Sequence, residues 1–241
     1  MNLRQFATLC LTLTDRIRTK QNNWVLGGIL AFVAGAVNAG GFLAGQRYTS
    51  HMTGIISGIA DDLVISELGI VLAGIAFLLS FVFGAAVTAI LINWARRKHL
   101  HSEFALSLCL EAALLLVFGV LGYSLNILVE VFVPTTILVL CFVMGLQNAI
   151  MTKISKAEIR TTHMTGVVTD IGIELGRLFY WNRDRSSMPQ KRVVADREKL
   201  KIHLIIFSLF LIGGIVGAIS FKNFGYITTV PLAGVLILIS L

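Results

Sequence analysis

The chain has 241 residues, 56% of them hydrophobic and only 14% charged, with a mean hydropathy of +0.84. That is too little charge for a soluble domain of this size. The net charge of +7 would suit a nucleic-acid partner, but where the charges lie argues against one. The apolar residues gather in runs that reach the ~20 residues needed to cross a bilayer. An all-α, polytopic membrane protein is expected, with one membrane domain over residues 1–241.

Residues 1–24 carry Arg4, Arg16, Arg18 and Lys20, with Trp24 at the edge of the first apolar run. The stretch FATLCLTLT is too short to span and has no small-residue cleavage site, so an interfacial helix is expected rather than a signal peptide. Six transmembrane helices follow, at about 25–44, 68–92, 104–123, 131–151, 202–221 and 224–241. Between them, segments 51–65 and 163–176 are too short and too polar at their ends to span, so each is read as a re-entrant or interfacial helix. Cys10, Cys109 and Cys141 show no metal-ligand or disulfide spacing, so no metal and no cofactor is expected. Pro231 is expected only to kink the last span.

Charge tests this count. With an inside N-terminus, the inside loops are 1–24, 93–103 and 152–201, and they hold 18 of the 20 Lys and Arg residues. The outside keeps only Arg47 and Lys222. This is the bias of the positive-inside rule, with both termini cytoplasmic. The cytoplasmic loop 177–201, with Phe179-Tyr180-Trp181, reads as a basic interfacial loop rather than a nucleic-acid site.

One sequence is written twice. Residues 49–63 (TSHMTGIISGIADDL) align without a gap on 161–175 (TTHMTGVVTDIGIEL), with seven of fifteen positions identical. Upstream, Phe32-Val33-x-Gly35-x-x-Asn38-Ala39 matches Phe142-Val143-x-Gly145-x-x-Asn148-Ala149. Two ordered matches about 110 residues apart indicate an internal repeat, with repeat 1 at about 25–123 and repeat 2 at about 131–241. Three spans per repeat reverse the second copy in the membrane. Inverted three-helix repeats are a recurring plan of secondary transporters, whose sites lie where broken helices of the two halves meet.

The HMTG segments suit helix starts, with Ser50 or Thr162 as caps and Gly54 or Gly166 admitting another backbone. Open amides at such a start favour an anion or a polar group. Candidate substrate-binding residues are therefore His51, Thr53, Gly54, His163, Thr165 and Gly166, with Asn38, Gln147 and Asn148 inside neighbouring spans. These side chains could equally hydrogen-bond helix to helix. Glu111, alone inside its span, and Asp170 are candidates for proton coupling. No HExxH, GxSxG or Walker A sequence occurs, so no enzyme is expected.

The runs GAVNAGGFLAGQRYTSHMTG, MGLQNAIMTK and RTTHMTG resemble the YoaK family of bacterial inner-membrane proteins. That family is of unknown function and is sometimes described as permeases. The resemblance implies a multi-pass protein of the bacterial inner membrane. The chain departs from the family pattern at Asn38, where Asp is usual, and at Ile55, where TGN is usual. The expected function is a secondary transporter or permease for a small polar or anionic solute. The alternative is a membrane scaffold or sensor acting through loop 177–201. Expected partners are the lipid bilayer and a small-molecule solute, with no nucleic acid; a homo-oligomer stays open.

Overall fold

The computed structural model describes residues 20–100, 102–124, 129–154, 163–180 and 193–240. The N-terminal interfacial helix expected before residue 20, and most of the basic loop, lie outside these residues. Among the described residues there are eight α-helices and no β-strand. In chain order they are α1 (Lys20–Gly45), α2 (Met52–Ile65), α3 (Leu68–Arg97), α4 (Ala105–Tyr123), α5 (Val129–Ile154), α6 (Met164–Phe179), α7 (Arg197–Phe224) and α8 (Thr229–Ser240).

Among the described residues, five stretches are long and apolar enough to cross a membrane: α1, α3, α4, α5 and the run from Arg197 to Ser240. Gly225, at φ +64°, breaks that last run into α7 and α8. The sixth expected span, 224–241, therefore meets a 12-residue helix, only about 18 Å long. The outward faces of α3 and α7 are apolar, with Leu79, Phe83 and Ile90 and with Leu211, Ile215 and Ile219 exposed. Apolar surface on this scale is what lipid contact requires.

The core forms around α1 and α5, which supply Leu26, Leu30, Val33, Leu140, Met144 and Ile150, all fully buried. These two helices run antiparallel. Asn23 Nδ2 donates to the Ile154 carbonyl, Gln147 Nε2 donates to the Leu30 carbonyl at 3.1 Å, and Gly41 lies against Leu140. Helices α4 and α8 also run antiparallel, with Cys109 beside Ser240 and Gly122 beside Tyr226.

Two further contacts join helices that run parallel. Along α1 and α7, Gly28 meets Leu209, Ala36 meets Gly217, and Gly40 meets Phe221. Along α3 and α5, Ser80 Oγ donates to the Leu138 carbonyl at 2.7 Å and Thr88 Oγ1 to the Leu146 carbonyl at 3.2 Å. Both crossings use one device. A Cβ on Gly35 would strike the Phe210 carbonyl oxygen, and one on Gly213 the Phe32 carbonyl. A Cβ on Gly145 would strike the Phe81 carbonyl, and one on Gly84 the Phe142 carbonyl. Each glycine stands three residues after a phenylalanine, so four Phe-x-x-Gly segments bring backbone against backbone. Helices in lipid associate through such close approach, because tails already solvate the apolar side chains.

Candidate functional site

Helices α2 and α6 begin at the same place in space. A cavity of about 710 Å³ takes His51, Met52 and Thr53 from the start of α2, and His163, Met164 and Thr165 from the start of α6. Asn38 of α1 and Asn148 of α5 line it, as do Phe81 of α3 and Phe210 of α7. These ten residues are five pairs of equivalent positions, one member from each half. Tyr48 and Ser50 complete the lining. Among the described residues that line it there is no carboxylate, lysine or arginine.

The histidines, not Ser50, are the N-cap residues. His163 caps α6 through its ring: Gly166 N–H donates to Nδ1 at 3.2 Å. An acceptor nitrogen carries no proton, so the neutral ring holds its proton on Nε2. A Cβ at Gly166 would lie 2.5 Å from that Nδ1, so the glycine of the motif makes room for the histidine cap. His51 caps α2 by position and makes no side-chain cap bond. Its ring lies over Gly54, with Nε2 2.8 Å from where a Cβ would stand. Ser50, expected as a cap, instead donates from Oγ to Asn38 Oδ1 at 3.1 Å, with its N–H directed at the same oxygen at 3.4 Å. This ties the start of α2 to α1. Thr162 lies outside the described residues. On the other side, Asn148 Oδ1 is buried without a partner.

Of the residues singled out in the sequence, Asn38, His51, Thr53, Asn148, His163 and Thr165 meet at the cavity. Gly54 and Gly166 lie beneath the two imidazole rings. Three others lie elsewhere. Gln147 is fully buried and spends its Nε2 on the Leu30 carbonyl, so it ties α5 to α1. Glu111 is fully buried in α4, and both of its carboxyl oxygens are without a hydrogen-bond partner. Ser107, one turn away on the same face, is buried and unpartnered too. Asp170 faces the start of α7, where Lys199 Nζ lies 3.1 Å from Oδ1 and His203 Nε2 lies 3.5 Å from Oδ2. His203 is buried, and its Nδ1 donates to the Lys199 carbonyl at 2.8 Å. Beside this cluster, the buried Glu174 accepts from Arg177 at 2.8 Å and from the Asp196 N–H at 2.8 Å. The charges of α6 thus anchor it to α7.

Phe81 and Phe210 were not expected at a site, since each reads as one more apolar residue in a span. The signal was present: each opens a Phe-x-x-Gly segment shared with the repeat. No group of three or more potential metal ligands occurs among the described residues. His51 and His163 each have a Met and a Thr beside them at the cavity.

The UPF0700 transmembrane protein YoaK of Bacillus subtilis (strain 168) is 28% identical over 211 residues, which cover 85% of this chain and 87% of that protein. No solved structure matches the chain. The family model described as "Protein of unknown function (DUF1275)" matches residues 26–241. With that match and five apolar stretches of spanning length, the chain is a multi-pass membrane protein of the DUF1275 family.

Proposed function

We propose that the protein is a secondary transporter or permease for a small polar or anionic solute, built from inverted three-helix repeats with six spans, both termini cytoplasmic, in a bacterial inner membrane. The observation that carries this reading is the paired lining of the cavity, one member of each pair from each half. The antiparallel course of α1 against α5, and of α4 against α8, supports the inversion. So does the exchange of partners, in which α1 packs on α7 and α5 on α3. Two helix starts bring roughly half a positive charge each to the cavity. With no carboxylate among the described lining residues, the balance favours a negative or acceptor-rich solute over a cation. The hydroxyls of Thr53 and Thr165, the amides of Asn38 and Asn148, and Nε2–H of His163 would orient it. Phe81 and Phe210 would close the apolar sides. Glu111 lies apart from the cavity lining, so any proton it carries would act through movement of α4 and not by contact with the solute.

The test asks whether one cavity is reached from two sides. In a background without Cys10, Cys109 and Cys141, a single cysteine is placed by Thr53→Cys or Thr165→Cys. A membrane-impermeant maleimide is then added from one side of sealed vesicles at a time. Alternating access expects both positions to react from both sides. Reaction of each position from one side only, under every condition, sinks the reading. The coupling role of Glu111 is tested by anion uptake in proteoliposomes, where wild type should respond to a proton gradient and Glu111→Gln should not.

A further inference from the structure

Away from the cavity, the start of α7 carries a ridge with a groove on each side. Arg197, Lys201, Ile205 and Leu209 are four residues apart and so share one stripe of the helix. Lys201, Ile205 and Leu209 wall both grooves, one of about 710 Å³ and the other of about 770 Å³. The first groove is completed by Leu178 of α6 and Leu204 of α7. The second lies between α7 and α1 and takes Trp24, Ile29 and Phe32. Gly28 lets it close down on the ridge, since a Cβ there would stand 2.7 Å from Leu209 Cδ1.

The charges gather at one end. Helices α1 and α7 run parallel, so their first residues share an end of the molecule. Arg197 lines the first groove there, Lys20 the second, and Lys201 both. All three are exposed, and no ion pair engages any of them among the described residues. Among the described residues that line the two grooves, Glu198 is the single carboxylate. We propose that this ridge is a binding site for an anionic diacyl phospholipid. The phosphate sits at the head of the ridge between Arg197, Lys201 and Lys20, and one acyl chain runs down each groove.

Three features select this occupant. Two apolar grooves sharing one wall fit two chains joined at one end. Three cations against one carboxylate select a headgroup with net negative charge, and basic residues near a bilayer surface gain from anionic lipid. Trp24 lies near the start of α1, the end of a span, where indole is favoured. A soluble anion would use the cations but leave both grooves empty. The proposal does not depend on transport.

Trp24 is the reporter. In a Trp94→Phe/Trp181→Phe background it is the sole tryptophan of the three. The protein is reconstituted in phosphatidylcholine vesicles holding either phosphatidylglycerol or phosphatidylcholine with brominated acyl chains, at equal mole fraction. Brominated phosphatidylglycerol should quench Trp24 at a several-fold lower mole fraction than brominated phosphatidylcholine. Lys201→Gln should shrink the difference and Arg197→Gln/Lys201→Gln should abolish it. Lys222→Gln, at the far end of α7, should leave it intact. Equal quenching by the two lipids in the wild-type pocket means annular lipid only and overturns the proposal. Absence of quenching by either means that another segment of the chain fills the groove, and overturns it too. A preference that survives in both charge variants removes the assignment of Arg197 and Lys201. The wild-type comparison needs no charge variant, so it decides even where the double variant fails to reconstitute.

Discussion

Helix α2 reaches α3 through Ser66, a non-glycine residue at φ +65°, and rests Ile59 against Gly74 of α3. Helix α6 is held to the start of α7 quite differently, by Asp170 on Lys199 and by the buried Glu174 on the Asp196 N–H. The last three residues of α2, Leu63-Val64-Ile65, are open, with Val64 85% exposed, whereas α6 carries its acids inward to a basic partner. The two helices nevertheless start alike, at one cavity. The halves therefore agree where they meet, at helix starts and crossings, and differ at the outer seats. Gly58 stands where α6 has Asp170, and a Cβ there would meet open space. Nothing in the first half calls for a carboxylate at that place, because its α3 offers no lysine or histidine to receive one.

The largest expected effect tests what the halves share. Gly35→Ile and Gly145→Ile each force a side chain into a facing backbone carbonyl. Overpacking of this kind should cost roughly 3 kcal/mol or more, read as lost monodisperse protein in detergent. Similar losses from both variants sharpen the equivalence of the two crossings, and loss from one alone breaks it. Next comes what the halves do not share. Glu174→Ala strands the Asp196 amide and frees the half-exposed Arg177 guanidinium, at a cost of roughly 1–3 kcal/mol. Its counterpart Asp62→Ala, which removes a carboxylate without such partners, should stay within about 0.5 kcal/mol. Thermal unfolding of the two purified variants compares them, and a similar fall in both would abolish the distinction between the seats. The smallest effect lies at the helix starts. His163→Ala removes a side-chain cap worth about 1 kcal/mol, while His51→Ala removes none. Midpoints that fall equally would show that His51 caps α2 after all.

Much of this was legible in the sequence. Six spans were expected from apolar runs and charge bias, and five apolar stretches of spanning length are found among the described residues; the duplicated HMTG word marks two helix starts, but only the structure brings them to one cavity. Other features depend on tertiary structure. Histidine is an unusual N-cap, and only the ring of His163 poised over Gly166 shows why the motif pairs those two residues. Gln147 and Asn148 are adjacent in sequence and equally polar, yet one ties α5 to α1 and the other faces the cavity. A rotation of 100° per residue along the helix separates them, and sequence alone does not place the zero of that rotation. Asp170 read as an intramembrane acid because its partners, Lys199 and His203, arrive some thirty positions later across a loop. The shortness of α8 was hidden as well, since the span expected at 224–241 takes in Gly225–Thr228, which form a 3-10 turn before α8 begins at Thr229.

The exchange of helices between halves has a consequence for how the chain is held as one object. Helix α1 makes its longest contact with α7, and α5 with α3, so neither half encloses a hydrophobic interior from its own residues. Cutting the chain near residues 125–128 would separate each long helix from the surface that covers it. If the two halves are the repeats proposed above, the molecule has the plan of an intertwined dimer fused into one polypeptide, with the cavity at its interface.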